Sequence, residues 1–172
     1  MKLVAIVPVR AGSQRLSKKN YINVGGKKIF EHTLEKIIES KVFDKIVINS
    51  SDLSLIETAK NYGVDFYERP TGLSTSEATA DQVVYDFMRN QINENEFLIW
   101  VNTASPLTTL QEIINIANFI RNEKPSSLVT VRKTRGHVLK DKEPINFKFE
   151  ESLSRTQDMA NLTEYNYAMM AW

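Results

Sequence analysis

An α/β fold with a mostly parallel sheet and helices on both faces follows from three features of the sequence. Strand-like and helix-like apolar patterns alternate from residue 3 to residue 131. The first strand pattern is an unbroken apolar run, as in a strand covered on both faces. Capping-box spacings and a closing glycine punctuate the helices between them.

Each element has its own signal. Leu3-Val4-Ala5-Ile6-Val7 is the first strand, ended by Pro8. Ile29, Phe30, Leu34, Ile37 and Ile38 recur at helical spacing up to Ser40, and Lys45 to Ile48 is the second strand. Ser54-x-x-Glu57 predicts a capped helix closed by Gly63, followed by a short strand from Val64 to Tyr67. Ser76 is expected to cap a helix carrying Ala80, Val83, Val84, Phe87 and Met88 on one face. Phe97 to Val101 is a strand, and Thr109-x-x-Glu112 opens a helix bearing Ile113, Ile114, Ala117 and Ile120. Ser127 to Val131 is a further strand. Beyond Arg132 the chain is polar and irregular, with a weak strand at Asn146 to Phe149 and a buried strand starting at Tyr167.

At 172 residues, with 42% hydrophobic and 25% charged residues, the chain reads as one domain, 1–172, with a substantial core. The 22 Lys and Arg against 21 Asp and Glu leave a net charge of +1, which argues against a nucleic-acid partner. The absence of cysteine excludes disulfides and thiolate metal sites and fits a reducing, cytoplasmic setting. No apolar run is long enough for a membrane span, and Leu3 to Val9 is too short for a signal peptide.

Ligands of parallel α/β sheets bind beyond the carboxyl ends of the strands. That rule singles out Pro8 to Asn20, Asn49 to Asp52, Glu68 to Thr75 and Asn102 to Thr109. From Arg10 to Lys28 there are six cations (Arg10, Arg15, Lys18, Lys19, Lys27, Lys28) and no anion. Such a run is a solvated basic face or a phosphate cradle, in which Ala11, Gly12 and Ser13 let backbone N–H groups approach an anion. Its place after the first strand favours the cradle. Neither G-x-x-x-x-G-K-[ST] nor G-x-G-x-x-G follows that strand.

The stretch VPVRAGSQRLSKKN resembles the opening motif of the acylneuraminate cytidylyltransferase family, (I/V)-(P/L)-A-R-x-G-S-K-x-x-x-x-K-N. Arg10, Gly12, Ser13, Lys19 and Asn20 fall on motif positions, while Gln14 replaces the usual Lys and Val9 the usual Ala. In YGVDFYERPTGLSTSEATADQVVYDFM, Arg69, Pro70, Leu73 and Asp81 match a second block. WVNTASPLTT is similar to L-L-Q-P-T-S-P-L-R through Ser105, Pro106 and Leu107, with Asn102 for Gln, Ala104 for Thr and Thr108 for Arg. Arg155, Gln157, Asp158, Asn166 and Ala168 match a fourth, where Tyr167 and Met170 depart from it.

The resemblance implies a Rossmann-like three-layer nucleotidyltransferase fold and transfer of a cytidylyl group from CTP to the anomeric hydroxyl of an acidic nonulosonic sugar. It implies Arg10 and Lys19 as catalytic cations. Ala11, Gly12, Ser13, Arg15, Asn20, Arg69 and Ala80 would bind the nucleotide, with Asn20 and Arg69 at the base or ribose. Asn102, Ser105, Lys140 and Asn166 would face the sugar, Lys140 at its carboxylate. For Ser105, initiating the next turn is an equal alternative; for Arg69 the alternative is a pairing with Glu68 or a surface carboxylate, and the adjacent Pro70 and the strand-end position favour binding. His32 is expected to be solvated, and Tyr165 and Tyr167 to pack.

Other readings of the same residues are a 3-deoxy-manno-octulosonate cytidylyltransferase, echoed by Arg15-Leu16, and a non-catalytic nucleotide-binding homologue. A homodimer is expected through an insertion at about 134–164, whose Val138, Leu139, Ile145, Phe147, Phe149 and Leu153 are isolated apolar residues in a polar stretch. The family implies Mg2+ held by a D-x-D pair, and no D-x-D occurs in the sequence. The expectation is therefore a chain truncated at its carboxyl end, its last strand left uncovered and its metal ligands missing.

Overall fold

Alternation of apolar residues along the strands sorts the core into two layers, one on each face of a six-stranded sheet. The computed structural model describes residues 1–10, 12, 16, 18–149, 152–165 and 167–172. Its strands are β1 (Lys2–Pro8), β2 (Asn23–Val24), β3 (Lys27–Lys28), β4 (Lys45–Ser50), β5 (Asp65–Glu68), β6 (Glu96–Val101), β7 (Leu128–Val129), β8 (Arg132–Thr134), β9 (Leu139–Lys140), β10 (Glu143–Pro144), β11 (Leu162–Glu164) and β12 (Met169–Ala171). The helices are α1 (Ile29–Ser40), α2 (Leu55–Tyr62), α3 (Ala80–Gln91) and α4 (Leu110–Glu123).

The chain divides into two compact units: Met1–Val129 with Ala168–Trp172, and Thr130–Tyr167. In the first, the sheet order is β5-β4-β1-β6-β12-β7. The pairs β5–β4, β4–β1 and β1–β6 are parallel, while β12 runs antiparallel to both β6 and β7. Leu3, Ala5 and Val7 of β1, with Phe97, Ile99 and Val101 of β6, pack against Phe30, Leu34 and Ile37 of α1, Leu55 and Ala59 of α2, and Ile113, Ala117 and Ile120 of α4. Val4, Ile6, Leu98 and Trp100 point the other way, the face on which Tyr67 meets Phe87 of α3 ring edge to ring face at 5.3 Å.

Several sequence expectations need correction. Ser54 does not cap α2 with its side chain, because its hydroxyl donates to Asp52 Oδ1 at 2.7 Å. The cap of α3 is Thr79, not Ser76: Thr79 Oγ1 accepts from Gln82 N while the Gln82 side chain accepts from Thr79 N. The Thr109–Glu112 capping box forms as expected, and Gly63 ends α2 at φ 66°. The strand expected over Ser127 to Val131 shortens to Leu128–Val129. Met169, Met170 and Ala171 are buried between β6 and β7 rather than left uncovered.

The second unit holds two small antiparallel pairs, β9–β10 and β8–β11. No strand forms at Asn146 to Phe149. Asn146 acts instead as a brace, accepting from Val138 N at 2.9 Å and donating to Gly136 O at 2.8 Å. The side chain thereby takes the hydrogen bonds that a strand partner would have supplied.

Candidate functional site

Parallel pairing brings the carboxyl ends of β1, β4, β5 and β6 to one edge. The ladders run one residue past the strands, through Val9 N to Asn49 O at 3.0 Å and Arg69 N to Ser50 O at 2.9 Å. Arg10, Asn49 and Arg69 therefore converge, with Asn102 and Thr103 following β6.

Arg69 is the unusual group. It is 3% exposed, and its Nε donates to Asn49 Oδ1 while a terminal nitrogen donates to Asn49 O at 2.8 Å. Asn49 is fully buried, and its own amide nitrogen finds no partner among the described residues. Burial, and then the nearby charge of Arg10, lower the Arg69 pKa to about 10. It is still a cation at neutral pH, held where water does little to stabilise it. The alternative of a pairing with Glu68 does not form; Arg69 bonds to Asn49 instead.

Arg10 Nη1 donates to Thr75 O at 3.1 Å, just past the short 3-10 turn Thr71–Ser74. A Cβ placed on Gly12 would sit 4.0 Å from Ser74 O, an ordinary contact, so packing within the fold does not demand glycine there. Asn20 is 6% exposed and bonded at both ends of its amide, donating to Arg10 O at 3.2 Å and accepting from Thr103 Oγ1 at 3.0 Å. It straps the first loop to the end of β6.

Tyr21 adds a second strap, donating its hydroxyl to Asp52 Oδ2 at 2.6 Å. Burial, and then that carboxylate, push the phenol well above its usual range. The Tyr21 and Ser54 hydroxyls hold the Asp52 carboxyl below the ordinary carboxylate value. Lys19 begins the 3-10 turn Lys19–Tyr21 and is partly exposed.

The basic run divides. Lys27 pairs with Glu35 at 2.6 Å, and Lys28 lies 5.8 Å from the Tyr21 ring centre. Those two cations belong to the fold rather than to a cradle. Ala11, Ser13, Gln14, Arg15 and Asn166 lie outside the described residues.

Asn102 Oδ1 accepts from Ala104 N at 3.0 Å, and Ser105 N donates to Asn102 O at 3.0 Å, so both residues build the turn after β6. Ala80 is the first residue of α3. Lys140 is exposed on β9 of the second unit. There the Tyr165 and Tyr167 rings pack edge to face at 6.1 Å, as expected. His32, expected to be solvated, is partly buried and shares a 2.7 Å hydrogen bond with Val24 O. Sequence reasoning assigned no role to Asn49, Thr75 or Thr103. Their only signal was a place at a strand end.

The sheet and its cation-lined edge define a Rossmann-like α/β domain of the nucleotidyltransferase type. A structure of CMP:2-keto-3-deoxy-manno-octonic acid synthetase complexed with CTP shares this fold, with TM-score 0.66 over 100% of this chain and 74% of that one at 17% identity. The family described as cytidylyltransferase matches residues 4–164, and the chain belongs to it. An N-acylneuraminate cytidylyltransferase of Streptococcus agalactiae serotype V is 29% identical over 153 residues, covering 81% of this chain and 37% of that protein. A pseudaminic acid cytidylyltransferase of Campylobacter jejuni is 33% identical over 97 residues, 56% of this chain and 42% of that protein. The chain thus spans about two fifths of the length of these relatives.

Proposed function

We propose that this chain carries the nucleotide site of an enzyme that transfers a cytidylyl group from CTP to the anomeric hydroxyl of an acidic nonulosonic sugar. The sugar oxygen attacks the α-phosphorus, the bond to the bridging oxygen breaks, and pyrophosphate leaves with that electron pair. The hydroxyl proton passes to solvent. Both reactants are anions, so the site must offset their repulsion and hold them in line.

One observation carries this reading: Arg69 is a buried cation whose described hydrogen bonds go to an asparagine, and it sits beside the cation Arg10. An anionic ligand at this edge relieves both the desolvation and the repulsion. Arg10 and Lys19 are assigned to charge developing on the reacting phosphates, and Gly12 to close approach of the triphosphate. Ala11, Ser13 and Arg15 are assigned to the same triphosphate. Arg69 and Asn20 are assigned to the nucleoside, Asn20 through its bonds to Arg10 O and Thr103 Oγ1 that hold the loop. Ala80 flanks the nucleotide, and Asn102, Ser105, Lys140 and Asn166 are assigned to the sugar. Relatives named for sialic and pseudaminic acids support the sugar class.

Mg2+ is proposed as the cofactor, supplying charge neutralisation on the phosphates when bound. Among the described residues no group of three or more His, Asp or Glu is placed to hold a metal ion. Asp52, the carboxylate after β4, is engaged by Tyr21 and Ser54. No step here is routed through a metal ion.

A homodimer is proposed through the second unit, where Leu139, Ile145, Phe149 and Leu153 are 51%, 60%, 66% and 60% exposed. A monomer by light scattering at working concentration refutes it. A cytoplasmic setting is proposed on the cysteine-free sequence and the nucleotide substrate; among the described residues no helix is long and apolar enough to cross a membrane.

The deciding experiment is pyrophosphate release with CTP and a panel of nonulosonic acids, alongside calorimetry with CTP and ATP. Release with CTP and at least one such acid, and clear preference for CTP, is expected. No release with any acid, or equal affinity for ATP, overturns the proposal.

A further inference from the structure

The loop after β6 is held in an unusual way. Its backbone makes two consecutive turns, Ser105 N to Asn102 O at 3.0 Å and Thr108 N to Ser105 O at 3.2 Å. The Thr108 hydroxyl also donates to Ser105 O, at 3.0 Å. Apolar packing does not anchor the tip, since Leu107 is 88% exposed and Ala104 is exposed as well. Pro106 has no N–H to give.

The anchor is a cation from another element. Lys36, on α1 one position before the buried Ile37, donates its ammonium to Pro106 O at 2.5 Å and to Thr108 O at 3.0 Å. It lines, with Val101, Ile113 and Met169 and beside Asn102 and Ser105, a gap that admits no water. Two carbonyls that turn away from the loop's own hydrogen bonds thus share one charged donor. Such charge-assisted bonds are the stronger kind, and these two are partly shielded from solvent.

We propose that Lys36 is a positioning residue for the acceptor: its ammonium clamps the loop from Asn102 to Thr108 so that Asn102 and Ser105 are presented to the sugar in one geometry. This rests on the reading that this loop faces the sugar. The nucleotide side has anchors of its own, the Asn20–Thr103 strap at the start of this loop and the Tyr21–Asp52 strap, and neither involves the Lys36 bonds to Pro106 and Thr108 farther along it. Loss of the clamp therefore acts on one substrate and spares the other.

Lys36→Met keeps the stem and removes the donor, whereas Lys36→Arg keeps a donor of the same charge. Two readouts test the clamp. In the ligand-free protein, amide hydrogen exchange over 105–109 should quicken about tenfold in K36M, with the β1 and β6 amides unchanged. In turnover, K36M should raise KM for the sugar about tenfold while KM for CTP moves less than about twofold, and K36R should recover most of the loss. Unchanged exchange over 105–109 in folded K36M overturns the clamp. An equal rise in both KM values, or a lowered Tm with unchanged sugar KM, overturns its role toward the acceptor. If K36M does not fold, K36Q is judged by the same outcomes. Wild-type protein that releases no pyrophosphate with any nonulosonic acid overturns the cytidylyl reading and the acceptor role with it, while the exchange result still decides the clamp.

Discussion

Replacing Tyr21 by Phe removes one hydroxyl and leaves the ring, 6.2 Å from Phe30, in place. The lost bond is the 2.6 Å contact to Asp52, which ties the 3-10 turn carrying Lys19 to the loop after β4. Hydrogen bonds to charged groups contribute about 1.5–3 kcal/mol. Both partners are partly exposed, and Asp52 keeps the Ser54 N–H and hydroxyl, so a value near about 1 kcal/mol is expected after screening. For a chain of this size that lowers Tm by about 2–4 °C.

The pH dependence gives the stricter test. The Asp52 pKa is depressed in the folded protein, so its contribution is complete above the unfolded value of about 4 and disappears as pH falls through the folded value. The Tyr21 phenol is raised, so unfolding is favoured once pH passes its unfolded value of about 10. The gap between wild type and Y21F should therefore be widest between about pH 5 and 9 and should narrow at both ends. Urea unfolding across this range is the assay. A gap below about 0.5 kcal/mol at pH 7, or one that does not change with pH, refutes the reasoning.

Thr103→Val keeps the shape but leaves the buried Asn20 Oδ1 without its donor; a loss of about 1–3 kcal/mol in urea unfolding is expected, and a neutral result removes the strap. Arg10→Ala and Lys19→Ala should each cost about 2–4 kcal/mol of transition-state stabilisation, read from kcat/KM, and near-normal turnover refutes the assignment. Gly63→Ala places a side chain at φ 66° at the end of α2 and should cost about 1 kcal/mol; an unchanged Tm contradicts the left-handed cap.

The sequence by itself determined the layered α/β architecture. The unbroken run at Leu3 to Val7 and the 3.6-residue spacing in Ile29 to Ser40 are local patterns, and burial on both faces of β1 follows from them. It also showed which loops matter, because strand ends are legible wherever strands are. Tertiary structure decided the partners. Lys27 and Arg10 belong to the same basic run, yet one pairs with Glu35 and the other meets Thr75, 65 residues away. Arg69 bonds to Asn49 rather than to its neighbour Glu68 because parallel pairing of β4 with β5 sets Asn49 against Tyr67, two positions before the arginine. Met169 to Ala171 entered the sheet antiparallel between β6 and β7, a pairing that no local pattern specifies. Periodicity reports whether a residue is buried, since burial depends on which face of its own element it occupies. A hydrogen-bond partner depends on which elements become neighbours, and only the folded chain sets that.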